Sequence, residues 1–302
     1  MKKQSRKNKN PVTENYNSGK SLSLALALLV ILILLTWSGA IHNNFVSWDD
    51  FDYVINNELV RNDKAPDLKA IFSTVVSLNY HPLTILSLSL NDNDCKNCQD
   101  GISPRPFIAG NIILHALNTL LVFILIYLLF RKDLIVSFIV AAVFAVHPMH
   151  VESVAWISAR KDVLSSFFFL SGLISWIRYI ITPDRKYPWL ILSFLLFVAA
   201  TLSKATTVVF PLVAILIWYL IYQKPDPVQK GESLKDSFSH VIIPLVPFFA
   251  VSVFIGLITI NVQNGENFLG MFQFSREPED AINTAGDFSI LQRTGIACYG
   301  FF

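Results

Sequence analysis

Residues 108–130 read IAGNIILHALNTLLVFILIYLLF and contain no Asp, Glu, Lys or Arg. A helix needs about 20 predominantly apolar residues to cross a hydrocarbon core of about 30 Å. The run therefore predicts a transmembrane helix.

Six further apolar runs flank this helix: 21–41, 134–146, 163–181, 189–202, 206–222 and 241–260. Two of them, 134–146 and 189–202, are shorter than about 17 residues, so each must recruit flanking residues or re-enter the membrane. We therefore predict an all-α polytopic membrane protein with about seven spans in a membrane domain over residues 21–302. An eighth run starts at residue 296 and stops at Phe302, which we interpret as the mark of an incomplete chain.

The overall composition agrees with the membrane class. Of the 302 residues, 53% are hydrophobic and 15% are charged, whereas soluble domains carry about 25% charged residues. The formal net charge of +2 provides no basic field for nucleic acid, so we expect none as a partner. Three cysteines are too few for a disulfide scaffold.

The basic residues predict an orientation. Lys and Arg are concentrated in the tail 1–20 and in the loops that alternate with it, as cytoplasmic segments do. We therefore expect a cytoplasmic N-terminus and extracytoplasmic segments at 42–107, 147–162, 203–204 and 261–293. The first of these is large enough to carry short helices.

Three polar side chains share one face of the helix predicted at 108–130. Asn111, His115 and Asn118 are spaced i, i+4 and i+7, so they project in the same direction. Polar groups facing lipid are costly, and we expect this stripe to face the bundle interior. It either holds helices together by hydrogen bonds or forms the wall of a polar cavity.

A group of carboxylates follows the first span in the sequence FVSWDDFDY, residues 45–53. Asp49 and Asp50 are adjacent, and Asp52 is close by. Such crowding can raise the pKa of one carboxyl toward the range of a general base, or it can hold a divalent cation between oxygens. An ordinary acidic interfacial loop is the alternative.

The segment HPMHVESVAWISARKD, residues 147–162, joins the third and fourth spans. His150 and Glu152 are two residues apart and do not share a helix face, so the helical zinc motif is absent. Arg160 and Lys161 are cations on the side where cations are scarce, and an Arg fork suits phosphate oxygens. Lys204, isolated between two spans, is either a further anion ligand or a lysine that snorkels to the interface.

The first large loop contains two further candidates. His81 precedes Pro82 and a short apolar stretch, 83–90, that we expect on or in the membrane surface. Cys95 and Cys98 form a C-x-x-C. In an extracytoplasmic loop with no second such motif, a local disulfide is the favoured interpretation over metal binding or redox chemistry.

Taken together, these pieces resemble the transmembrane and tetratricopeptide-repeat O-mannosyltransferases and their bacterial relatives, which are glycosyltransferases of the GT-C superfamily. The resemblance covers about residues 45–219 and concerns the N-terminal membrane part only. The matching stretches are Trp48-Asp49-Asp50, His81-Pro82-Leu83-Thr84, Asn111 through His115 to Asn118, residues 147–156, Arg160-Lys161-Asp162 and Leu202-Ser203-Lys204. The long match within residues 147–162 is the most specific.

The resemblance implies a GT-C-like helix bundle that moves a monosaccharide, mannose by the family's name, from a polyprenyl-phosphate sugar. The acceptor would be a protein or glycan hydroxyl on the extracytoplasmic face. Asp49 would be the base, and Asp50 would orient the sugar or the acceptor, or would ligate a cation. The residues expected to contact the donor phosphate or line the site are His81, His150, Glu152, Arg160, Lys161 and Lys204.

The sequence also gives expectations for the cofactor, the alternative functions and the location. A divalent cation held by Asp49, Asp50 and Glu152 is the cofactor to test; none is otherwise indicated. A transporter or lipid flippase, in which the polar stripe lines a path, is the alternative function, as is an inactive truncated scaffold. The expected location is a bacterial inner membrane, or the endoplasmic reticulum in a eukaryote.

Overall fold

A computed structural model describes residues 15–61, 65–93, 95, 96, 98, 101–130, 132–182, 186–222, 234–264 and 273–274. Residues 1–14 of the basic tail, most of segment 261–293 and the eighth run at 296–302 lie outside the described residues. Helix α1 begins at Asn15, so the last residues of the predicted tail are helical.

The described part of the chain is almost entirely helical. Its α-helices are α1 Asn15–Trp37, α2 Leu68–Ser73, α3 Pro82–Ser89, α4 Arg105–Leu129, α5 Leu134–Val146, α6 Val151–Ala155, α7 Arg160–Ile181, α8 Lys186–Ser203, α9 Phe210–Tyr222 and α10 Leu234–Gln263. The strands of the described residues are β1, Thr74–Val75, and β2, Gln273–Phe274, which pair in parallel. The all-α fold class is confirmed.

Within the described residues, six helical segments are long and apolar enough to span a membrane: Gly19–His42, Arg105–Leu129, Arg160–Ile181, Lys186–Ser203, Ala205–Tyr222 and Val241–Gln263. A seventh is possible where α5 and the segment Pro148–Ala155 meet at a bend of 51°. This is the run at 134–146 that is too short to span alone. The other short run gains residues at both ends and becomes α8.

Local sequence explains how the bent segment begins and ends. Asp133 caps α5, because its Oδ1 accepts hydrogen bonds from the backbone N–H groups of Ile135 and Val136, each at 3.0 Å. At the other end, Pro148 disfavours helical geometry at His147, which is extended. The chain then continues through a 3-10 turn, Pro148–His150, into α6.

Helix α7 lies at the centre of the bundle and packs along α4 and α8. Polar groups on these helices bind backbone carbonyls across the interfaces. Trp176 Nε1 donates to Ala214 O at 3.0 Å, and Ser193 Oγ donates to Gly172 O at 3.0 Å. On the other side of the bundle, α1 packs against α4 and α5, where Trp37 Nε1 donates to Ala145 O at 2.8 Å.

The first large loop folds back onto the bundle. It contains a π-helical turn, Phe51–Ile55, together with α2 and α3, and these elements share a buried apolar cluster with the start of α4. Thr84 of α3 donates to Ser203 O of α8 at 2.9 Å. The apolar stretch predicted to lie on the membrane therefore buries much of its surface against protein.

Candidate functional site

The polar stripe of α4 is fully buried and bonded to neighbouring backbone. Asn111 Nδ2 donates to Trp156 O at 2.8 Å, and Asn118 Nδ2 donates to Val163 O at 2.8 Å. His115 Nε2 lies 3.0 Å from Ala145 O. These contacts tie α4 to α5 and to the start of α7, so the stripe holds helices together, and this packing gives no support to a transport path along it.

Arg160 occupies a different position from the one expected of a phosphate ligand. It is the first residue of α7 and is 2% exposed. Its Nε donates to Asn111 Oδ1, its Nη1 to Ser87 Oγ at 2.9 Å, and its Nη2 to Phe107 O at 2.6 Å. All three guanidinium nitrogens bond to the protein, and they join α3, α4 and α7. We therefore remove Arg160 from the candidate donor ligands.

Asp50 is also committed to protein contacts. It is fully buried, and Oδ2 accepts from the backbone N–H of Val46 at 2.9 Å. Oδ1 accepts from both the N–H, at 2.9 Å, and the hydroxyl of Ser158. Asp50 therefore fastens the loop after α1 to the loop before α7. These contacts leave it no geometry for orienting a sugar, contrary to the sequence-based assignment.

Asp49, by contrast, is 28% exposed at its side chain and forms an ion pair with Lys161, with 3.6 Å between Oδ2 and Nζ. Lys161 also donates to the hydroxyl of Tyr53 at 3.3 Å and lies over the Tyr53 ring. The Asp49–Lys161 distance is beyond hydrogen-bond range. A partly exposed pair of this kind contributes about 0–1 kcal/mol to stability, so it is readily opened.

The residue after Lys161 forms a second ion pair. Asp162, in the first turn of α7, is bonded to Nζ of Lys204, which directly follows α8. Both side chains are about one-third exposed. The Tyr53 hydroxyl lies within electrostatic reach of both Asp49 and Asp162, so the two pairs lie close together. We name Asp49, Lys161, Asp162 and Lys204 the ion-pair site.

Tyr53 and His81 form one wall of the ion-pair site. Their rings are stacked, with centroids 5.0 Å apart and an interplanar angle of 5°. Burial, followed by the charge of Asp49, raises the pKa of the Tyr53 hydroxyl, which therefore stays protonated. Burial and nearby Lys161 lower the pKa of His81 to about 3. His81 is 4% exposed, and its Nε2 has no hydrogen-bond partner in the described structure.

The buried His81 predicts a pH-dependent stability. An unfolded chain protonates this histidine near its ordinary pKa of 6.5, whereas the folded protein keeps it neutral down to about pH 3. The stability due to this difference is complete above about pH 6.5 and is lost as the pH falls toward 3. We expect His81→Gln to flatten the fall in Tm between pH 6.5 and 4, measured by thermal unfolding in detergent. The control is His42→Gln, at an exposed histidine, and equal slopes for wild type and His81→Gln would contradict this prediction.

His150 and Glu152 are not brought into the ion-pair site by any contact of the described residues. His150 packs against the rings of Phe144 and His115, with centroids 4.5 and 5.2 Å away. Glu152 is exposed on α6. Neither side chain has an ion pair among the described residues.

The described residues contain no group of three or more His, Cys, Asp or Glu side chains that could hold a metal ion. Asp49, Asp50 and Glu152 therefore do not form such a group in the described structure. Cys95 and Cys98 are joined by a disulfide.

Sequence reasoning missed Tyr53 and Asp162. Both lie inside the stretches that were singled out, Tyr53 at the end of the aromatic and acidic run and Asp162 directly after Lys161. The hypothesis that Arg160 and Lys161 are a pair of anion ligands did not include the acid beside them, Asp162. The adjacent opposite charges of Lys161 and Asp162 were the signal for internal ion pairs.

Comparison with known proteins gives named relatives. The chain is 31% identical to the protein O-mannosyl-transferase TMTC1 of Mus musculus over 220 residues, which are 67% of this chain and 22% of that protein. It is 34% identical to TMTC3 of Mus musculus over 128 residues, covering 42% and 13%, and 35% identical to TMTC2 of Mus musculus over 118 residues, covering 37% and 13%. No family model and no solved structure matches the chain.

The matched parts are about a quarter or less of the length of these relatives. These relatives carry the family name that the sequence resemblance indicated. The chain is therefore a GT-C-like membrane protein related to the transmembrane and tetratricopeptide-repeat protein O-mannosyl-transferases, similar to a part of each of them.

Proposed function

We propose that the protein is a membrane glycosyltransferase that moves a monosaccharide, mannose in the first instance, from a polyprenyl-phosphate donor to a hydroxyl of a protein or glycan. The observation that carries the proposal is the ion-pair site. It places a partly exposed carboxylate, Asp49, beside a partly exposed lysine, Lys161, where the membrane helix α7 begins. A base next to an anion ligand at the end of a membrane helix suits a lipid-linked phosphate donor.

In the proposed step the acceptor hydroxyl oxygen attacks the anomeric carbon of the sugar. The bond from that carbon to the phosphate oxygen breaks, and the polyprenyl phosphate leaves with the bonding electrons. The hydroxyl proton passes to the carboxylate of Asp49, which acts as general base. Phosphate is a good leaving group and needs no dedicated acid.

The donor phosphate would bind Lys161 and Lys204, the cations of the ion-pair site. His81 would add a hydrogen bond through Nε2, the buried nitrogen without a partner in the described structure. The polyprenyl chain would lie along the apolar surfaces of the neighbouring membrane helices. By the distribution of Lys and Arg, this end of the bundle would face the extracytoplasmic side and the N-terminus the cytoplasm.

The proposal is tested by supplying membranes that contain the full chain with radiolabelled mannosyl polyprenyl phosphate and a peptide acceptor rich in Ser and Thr. We expect label on the peptide, and loss of the label on adding unlabelled polyprenyl phosphate. Absence of transfer, with a polyprenyl-phosphate donor of any sugar, would overturn the proposal in favour of a scaffold.

Lys161 provides a prediction for donor use. Replacing Lys161 by glutamine removes a charged hydrogen-bond donor, and such bonds contribute roughly 1.5–3 kcal/mol. We therefore expect the KM for the polyprenyl-phosphate sugar to rise about 10- to 100-fold. The measurement is initial rate against donor concentration. Lys69→Gln, at an exposed lysine of α2, is the matched control, and an unchanged donor KM in Lys161→Gln would remove this lysine from the phosphate site.

A further inference from the structure

The proposed donor brings a phosphate anion to the ion-pair site, which already contains the carboxylates of Asp49 and Asp162. Each lysine of the site is already paired with a carboxylate, Lys161 with Asp49 and Lys204 with Asp162. A phosphate that binds these lysines must therefore compete with at least one carboxylate.

One of the two ion pairs includes a hydrogen bond between its charged groups, and the other does not. Asp162 is bonded to Lys204. Asp49 is held at 3.6 Å from Lys161, too far for a hydrogen bond, while Lys161 directs a donor to the Tyr53 hydroxyl instead. Displacing Asp49 from its lysine therefore costs an incoming anion less interaction energy than displacing Asp162.

We propose that the donor phosphate takes the place of Asp49 on Lys161, and that this exchange releases Asp49 to act as base. The inference rests on the proposed function and deepens it by coupling donor binding to the readiness of the base. While it is paired, the Asp49 carboxylate lies against Lys161, and the exchange frees it to accept the proton of an acceptor hydroxyl. The site therefore has a free base only when a donor is bound.

The surroundings of Lys161 fit such an exchange. Tyr53 keeps the lysine in place through its hydroxyl and ring while the anion changes. Asp50, the neighbour of Asp49, is anchored to Val46 and Ser158. The backbone beside Asp49 thus stays fixed while the Asp49 side chain turns away.

The coupling makes an unusual prediction, in which removing a proposed catalytic residue improves ligand binding. We expect Asp49→Asn to bind radiolabelled farnesyl phosphate about three- to tenfold more tightly than wild type, because the competing charge is gone. Asp52→Asn removes the same charge from the same segment, where its carboxylate accepts from Ser77 Oγ at 3.0 Å. This control should change the affinity less than twofold.

Binding is measured by equilibrium dialysis of the full chain in detergent, so it requires no sugar transfer. Farnesol and inorganic phosphate, used as competitors, distinguish recognition of the lipid phosphate from recognition of the chain alone or of free phosphate. The gain in Asp49→Asn should disappear when Lys161→Gln is also present, because the two charges compete only through that lysine.

An unchanged or weaker affinity in Asp49→Asn, or a gain that persists without Lys161, would overturn the exchange. Transfer activity with no gain in binding would remove the exchange and leave the proposed function intact. A gain in binding without any transfer would support the exchange and count against the proposed function.

Discussion

Sugar transfer is expected to fall by about 10²- to 10⁴-fold when Asp49 is replaced by asparagine. General-base catalysis contributes rate enhancements of this size, and asparagine keeps the shape of the side chain but cannot accept the proton. The measurement is the initial rate at saturating donor. Asp49 is partly exposed and makes one weak ion pair, so the Tm of the variant should stay near that of wild type.

The neighbouring carboxylate provides the contrast. Asp50→Asn puts an NH₂ group where the native carboxylate accepts hydrogen bonds from Val46 and Ser158, so its effect should be on folding and Tm. If Asp49→Asn retained normal transfer, or lost transfer only together with a large fall in Tm, Asp49 would not be the base.

The largest effect on stability is expected from Gly110→Ala. A Cβ at residue 110 would clash with Arg160 Nη2, and it would lie 2.9 Å from Arg160 Cζ and 3.0 Å from Asn91 Oδ1. The guanidinium would have to move and would lose its hydrogen bond to Phe107 O. Overpacking costs about 1–3 kcal/mol and a lost buried hydrogen bond adds to it. We therefore expect a fall of about 2–4 kcal/mol in the free energy of unfolding.

The control for this substitution is Gly256→Ala in α10. A Cβ at residue 256 meets nothing within 4 Å, and alanine favours a helix more than glycine does. Thermal unfolding of both variants in detergent compares them. A Tm in Gly110→Ala equal to that of Gly256→Ala would show that Arg160 can shift without cost.

The sequence predicts about seven spans, and the described residues contain six candidates, or seven if the bent pair is one span. The approximate positions of the spans were predictable because hydropathy over about 20 residues depends on composition. Their ends were less predictable. Helix α7 begins at Arg160, three residues before the run predicted from residue 163, since charged residues in a first helical turn can lie at the membrane surface. The run at 134–146 was correctly identified as too short, but the 51° bend after it required the structure.

The sequence located the candidate site, but it did not assign the role of each residue in that site. Asp49 and Asp50 are adjacent and chemically identical, yet one is partly exposed in an ion pair and the other is buried against Ser158. Arg160 and Lys161 also lie in different surroundings, because successive residues of a helix point about 100° apart. Arg160 therefore enters the interior between α3 and α4, and Lys161 faces Asp49.

The sequence by itself determined that this is an all-α membrane protein related to O-mannosyl-transferases, with its unusual polar residues in the loops and on one face of α4. Long apolar runs and short polar motifs are local properties, so they can be read along the chain. Which charged groups meet was decided by the tertiary structure alone. The packing of α3, α4 and α7 surrounds Arg160 with uncharged hydrogen-bond acceptors, and it leaves Lys161 and Lys204 to the two partly exposed carboxylates.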